Sequence, residues 1–102
     1  MDIACVTNDN QTQITLAGII DEKGADELKS NFKAIDLAST KKVIIDCRQI
    51  SHIGSSGIGK ILLLYKHLAT AGGTLSVINL GTDLFELFKE LKLDTLFTIS
   101  KK

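Results

Sequence analysis

Two adjacent serines, Ser55 and Ser56, stand among glycines in Gly54-Ser55-Ser56-Gly57-Ile58-Gly59. The segment follows the β-branched run Val43-Ile44-Ile45-Asp46 through a polar stretch that reads as a turn, and it opens into a helical pattern. A serine at a helix N-terminus has two chemical uses. Its oxygen can cap the helix by accepting a bond from a free backbone N–H. The same free N–H groups and the helix dipole also favour negative charge, so a phosphate added to Ser55 could be held there and would change what docks on that surface. Capping by one of the two serines is expected in either case. The pattern alone leaves open which of Ser55 and Ser56 is the cap. Gly57 and Gly59 permit close backbone approach, whether by a partner or by a neighbouring strand.

Other chemistries compete for the same residues. Gly54 to Lys60 fits the spacing G-x-x-x-x-G-K of a phosphate-binding loop and lies between a strand and a helix. Ile61 occupies the position that needs Ser or Thr to hold Mg²⁺, and no later apolar strand ends in a free aspartate. A hydrolase nucleophile is a weaker reading, because neither serine has glycines at both −2 and +2. His67 falls on the following helix without an orienting carboxylate. Cys5 and Cys47 make no metal or redox spacing and read as small buried hydrophobes, and His52 and His67 lie near neither. No cofactor or metal is expected.

The elements that must position Ser55 follow from the apolar pattern. Ile3, Cys5 and Val6 suggest a first strand, and Asn8-Asp9-Asn10 is a turn signal. Ile14, Leu16, Ile19 and Ile20 form a second strand, with Gly18 marking a bulge or close contact. Asp21 caps a helix bearing Ala25, Leu28, Phe32 and Ile35. Val43 to Ile45 is a buried strand that Asp46 ends. The second helix runs from about Ser56 to Ala71 on a core stripe of Ile58, Ile61, Leu62, Tyr65, Leu68 and Ala69, and Gly72-Gly73 stops it. Leu63 and Leu64 fall off that stripe, as scattered exposed leucines or as a partner surface. Leu75, Val77 and Ile78 make a fourth strand. Thr82 or Asp83 caps a third helix with Leu84, Leu87, Phe88 and Leu91 on one face. Leu96 to Ile99 is a short strand or part of a closing helix. After the opening hairpin, strands and helices alternate. This predicts an α/β fold with a central mixed, mainly parallel sheet of four to five strands and helices packed on it.

The chain has 102 residues, which suits one domain over 1–102. Twelve basic and twelve acidic residues cancel, so no global field favours nucleic acid or an anionic membrane. No apolar run is long enough to span a bilayer, and the N-terminus lacks the regions of a signal peptide. A cytoplasmic protein is expected.

These residues resemble the STAS domains of bacterial anti-sigma factor antagonists over nearly the whole chain. Leu16-Ala17-Gly18-Ile19-Ile20-Asp21 resembles that family's L-x-G-x-[ILV]-D, and Ala25-Asp26-Glu27-Leu28 its A-x-x-L. Ile53-Gly54-Ser55-Ser56-Gly57-Ile58-Gly59 resembles its signature [IM]-D-S-S-G-[LI]-G. Gly72-Gly73-Thr74-Leu75 and the stretch from Leu84 to Phe97 resemble its closing strand and helix. The resemblance implies a binding module and not an enzyme. It implies that an anti-sigma factor that is also a serine kinase phosphorylates Ser55, and that a metal-dependent phosphoserine phosphatase reverses this. It thereby implies Ser56 as the structural cap. The docking surface it implies is formed by Asp21, Gly54, Ser55, Ser56, Gly57 and Gly59. Gly54 departs from the signature, which has aspartate there. The loss either weakens kinase recognition or eases accommodation of the phosphate by removing a like charge. It also favours a second possibility, a non-phosphorylated STAS subunit that binds a transporter ATPase. His52, where an apolar residue is usual, reads as a rim residue.

Overall fold

The computed structural model describes Met1–Lys102. Strand β1 (Asp2–Asn8) turns back through Asp9 into β2 (Gln11–Ile20). Asp9 takes a left-handed conformation, φ 53°, which Asp and Asn adopt more readily than most side chains. Helix α1 (Glu22–Lys33), β3 (Lys42–Ile53), α2 (Ser55–Thr70), β4 (Thr74–Leu80) and α3 (Thr82–Glu90) follow. A short 3-10 turn at Leu93–Thr95 leads into β5 (Thr98–Lys101), so the tail closes as a strand. The five strands lie in sequence order, β1-β2-β3-β4-β5. β1 is antiparallel to β2, and the other pairs are parallel. The expected mixed, mainly parallel sheet with packed helices is therefore present. No helix is long and apolar enough to cross a membrane.

Period-two burial shows how the sheet is covered. Thr12, Ile14 and Leu16 on β2, Val43, Ile45 and Cys47 on β3, and Leu75 and Val77 on β4 are buried. Their register neighbours Gln13, Ile44 and Ser76 point the other way and are exposed or half-buried. The buried face merges with Leu28 and Phe32 of α1, Ile61, Leu64 and Leu68 of α2, and Phe88 of α3 in one hydrophobic cluster. Gly72, at φ +82°, follows the end of α2, as the glycine pair implies.

Several sequence expectations are corrected. Asp46 does not end β3, which continues to Ile53. The last residues of β3 pair with β2 alone, because the β3–β4 ladder stops at Asp46↔Ile78. Buried positions there recur at Cys47, Ile50 and Ile53, every third residue and not every second. Two register shifts in the β2–β3 ladder cause this, and they hide the strand from a period-two reading. Helix α2 buries Gly57, Ile61, Leu64 and Leu68, so Leu64 belongs to the core and Ala69 is exposed. Leu63 is 41% exposed, off the core stripe as its position implied. In the third helix the cap is Gly81, neither Thr82 nor Asp83, and Leu91 is exposed at its end.

Candidate functional site

The parallel strands β2 and β3 end side by side, with Ile20 and Ile53 as register partners. Asp21 and Gly54 come next, and each is the N-cap of the helix that follows. The Gly54 N–H donates to the Ile20 carbonyl at 2.9 Å, which ties the start of α2 to the end of β2. Two helix N-termini, and with them two partial positive charges, are thereby set next to each other on one rim.

The two ends are capped differently. The Asp21 Oδ1 accepts the Gly24 N–H at 2.9 Å. This bond holds the exposed Asp21 carboxyl below the usual carboxylate range. In α2 the cap is Gly54, with φ −87° and ψ 173°, and no side chain bonds the first turn. The expectation that Ser56 caps α2 is therefore wrong. Ser55 and Ser56 are the first two helical residues, past the extended backbone that would swing a side-chain oxygen back onto a later N–H. Both serines are exposed.

The glycines of the motif separate by role. A Cβ on Gly57 would lie 2.6 Å from the Ile20 Cγ2 and 2.9 Å from the Ile53 Cγ1. Gly57 is buried, and its close approach is to the ends of β2 and β3, the second of the two options its sequence position left open. Gly59 is exposed and faces open space. Gly54 has an ordinary φ, and a Cβ there would meet only the Ile20 carbonyl oxygen at 3.6 Å. The backbone would accept the aspartate of the resembled signature, which would stand as the N-cap.

Ile19 was not singled out from sequence as a surface residue. Gly18, at φ +97°, accompanies a register shift that turns Ile19 outward, 53% exposed, and Ile20 fully inward. Ile19 pairs with the exposed His52 and lines a shallow hollow with Asp21, Lys23 and Ser51. The signal was the glycine itself, since a bulge reverses which side chains face the core.

The competing chemistries fare less well. Ile61, at the position a phosphate-binding loop needs for a hydroxyl, is fully buried in the core. His67 is three helical turns beyond Ser55 on α2, about 18 Å at 1.5 Å per residue, out of reach of either serine. No group of three or more His, Cys, Asp or Glu side chains could hold a metal ion. Cys47 is buried and Cys5 exposed, both as free thiols, so the expectation of two buried cysteines holds for Cys47 alone. Asp46 lies away from the rim, where its Oδ1 accepts from the Arg48 N–H and the Asn79 Nδ2.

A serine-bearing helix end beside a helix-capping carboxylate, on a small α/β sheet, defines a domain whose distinctive feature is a rim of exposed side chains. Residues 2–102 match the STAS domain family, and the chain belongs to it. It is 31% identical over 96 residues to the anti-sigma-B factor antagonist of Bacillus subtilis (strain 168), covering 93% of this chain and 86% of that protein. Its fold is similar to an anti-sigma factor antagonist from Mycobacterium paratuberculosis, with TM-score 0.86, 21% identity, and coverage of 99% of this chain and 86% of the other. It is also similar to the Bacillus cell fate determinant SpoIIAA in its phosphorylated form, with TM-score 0.79, 17% identity, and coverage of 99% and 93%.

Proposed function

We propose that this protein is an anti-sigma factor antagonist whose affinity for a serine-kinase anti-sigma factor is set by phosphorylation of Ser55. The observation that carries the proposal is the placement of Ser55. It is exposed, it is the first residue of α2, and it shares a rim with the Asp21 carboxylate and the outward-turned Ile19. In the unphosphorylated state this rim binds the partner and a sigma factor is released. In the partner's kinase reaction the Ser55 Oγ attacks the γ-phosphorus of a bound nucleoside triphosphate. The new O–P bond replaces the bond to the nucleoside diphosphate, and the serine proton passes to a base on the partner. The product carries about −1.5 to −2 charges on the docking surface, enough to expel a neutral or acidic partner face. The unoccupied first-turn amides of α2 tolerate that charge, and Gly54 adds no second carboxylate beside it. A phosphoserine phosphatase restores the free hydroxyl by hydrolysis. No cofactor on this chain is required.

The test is a pull-down from native lysate with the wild type, Ser55→Ala and Ser55→Asp side by side. Ser55→Ala should fold and hold a serine-kinase anti-sigma factor without being released by ATP. Ser55→Asp should bind at least several-fold more weakly. Loss of binding in Ser55→Ala sinks the assignment. Equal retention of a transporter ATPase by all three proteins would instead identify a constitutive STAS subunit.

A further inference from the structure

The surface between α1 and α2, away from the Ser55 rim, carries a groove of about 210 Å³. Its floor is apolar, formed by Phe32, Leu64 and Leu37, with Leu63 41% exposed at the lip. Its rim is basic, formed by Lys29 and Lys33 from α1 and Lys60 and His67 from α2. No carboxylate lines it, although the chain has as many acidic as basic residues. The helical spacing produces this pattern. Lys29, Phe32 and Lys33 share one face of α1, and Lys60, Leu63, Leu64 and His67 share one face of α2. Leu63 lies on this face, off the stripe that buries Ile61 and Leu68.

We propose that this groove docks an acidic segment of a partner protein, which places one bulky apolar side chain on the Phe32–Leu64 floor and carboxylates against the lysines. Charge complementarity selects the sign of the partner, since Lys29, Lys33 and Lys60 line the groove and no carboxylate does. The Phe32–Leu64 floor offers an apolar seat for one Leu or Phe side chain of the partner. Lys60 also lines a second cleft with Ser56, Glu22 and Asp26, so the carboxylate-free rim ends there, toward the α2 N-terminus.

The test uses the full chain and does not depend on Ser55. A random peptide library is selected on immobilised wild-type protein. The enriched peptides are then titrated against wild type, Lys29→Glu/Lys33→Glu, Leu63→Asp and Ser55→Asp. These substitutions fall on exposed helical positions, and circular dichroism checks their folds. The expected outcome is enrichment of peptides with one Leu or Phe flanked by Asp or Glu. Their affinity should fall about tenfold or more in the two groove variants, weaken with salt, and stay unchanged in Ser55→Asp. Amide shifts on the wild type should move at Phe32, Leu63 and Leu64. Failure to enrich such peptides, binding indifferent to the groove variants, or shifts confined to the Ser55 rim would each overturn the proposal. So would a dimer in light scattering that Leu63→Asp abolishes, because a second copy would then fill the groove.

Discussion

Gly57 and Gly59 are two residues apart on α2 and should respond oppositely to the same substitution. Gly57→Ala pushes a methyl into Ile20 and Ile53 and should lose about 1–3 kcal/mol in urea denaturation, because neither side chain can withdraw from the packed end of the sheet. Gly59→Ala meets nothing within 4 Å and should gain about 0.5–1 kcal/mol, the helix-propensity difference. Gly54→Asp fits the backbone and should add a few tenths of a kcal/mol by capping α2. Asp21 supplies a pH test. Its folded carboxyl is held below the ordinary value of 3.8, so its contribution is present above that pH and disappears as pH falls through the lower folded value. The gap in melting temperature between wild type and Asp21→Ala should accordingly narrow below pH 3.8. Asp21 was legible as a cap because an Asp directly before an apolar helical stripe has few other roles. The α2 cap was not legible, because capping depends on which residue keeps extended backbone angles, and a glycine there carries no side-chain signal.

Among the elements, β3 sets the geometry of the rim. Its extension past Asp46 carries the chain alongside β2 to Ile53, so Gly54 lands next to Asp21. Arg48, Gln49, Ser51 and His52 read as a turn because they are polar. They lie in a strand because Gln49 and His52 pair with Ala17 and Ile19 of β2, while Arg48 and Ser51 fall at the two register shifts and all four residues are exposed. The strand also buries one of the two thiols, Cys47, whereas Cys5 lies exposed on β1. Burial, with the charge of Asp46 as a smaller contribution, pushes the Cys47 thiol up to about 12. The thiolate is the reactive form, so an alkylating agent at neutral pH should modify Cys5 alone in the folded protein and reach Cys47 only in denaturant. Rapid double modification under native conditions would contradict the burial of β3. The expected α2 stripe holds at Ile58, Ile61, Leu62, Tyr65 and Leu68 and fails at Leu64 and Ala69. An apolar count ignores glycine, yet Gly57 is where the helix comes closest to the sheet, and that contact rotates Leu64 into the core.

At the scale of the whole molecule, all three helices and the sheet share one hydrophobic cluster, and no element has a separate core. Unfolding should therefore be one cooperative transition. The chain has a single tyrosine and no tryptophan, and Tyr65 packs at 5.8 Å from Phe97, just before β5. Tyrosine emission reports the closing segment, while far-UV circular dichroism reports the helices and sheet. Their urea midpoints should coincide, and an earlier tyrosine transition would show that β5 detaches first.

The sequence by itself determined the order of elements up to the third helix, a special backbone position at Gly18, the Asp21 cap and the placement of two serines at a helix start. Each of these rests on local physics, namely periodicity, turn chemistry and the conformational demands of single residues. The tertiary structure alone decided which of the two α2 leucines is buried and how far β3 runs. It also decided that Gly54 and not Ser56 caps α2, and that Ile19 and Asp21 share a rim with Ser55. Those outcomes depend on the register between strands and on where a helix touches a sheet, and residues far apart in the chain settle both.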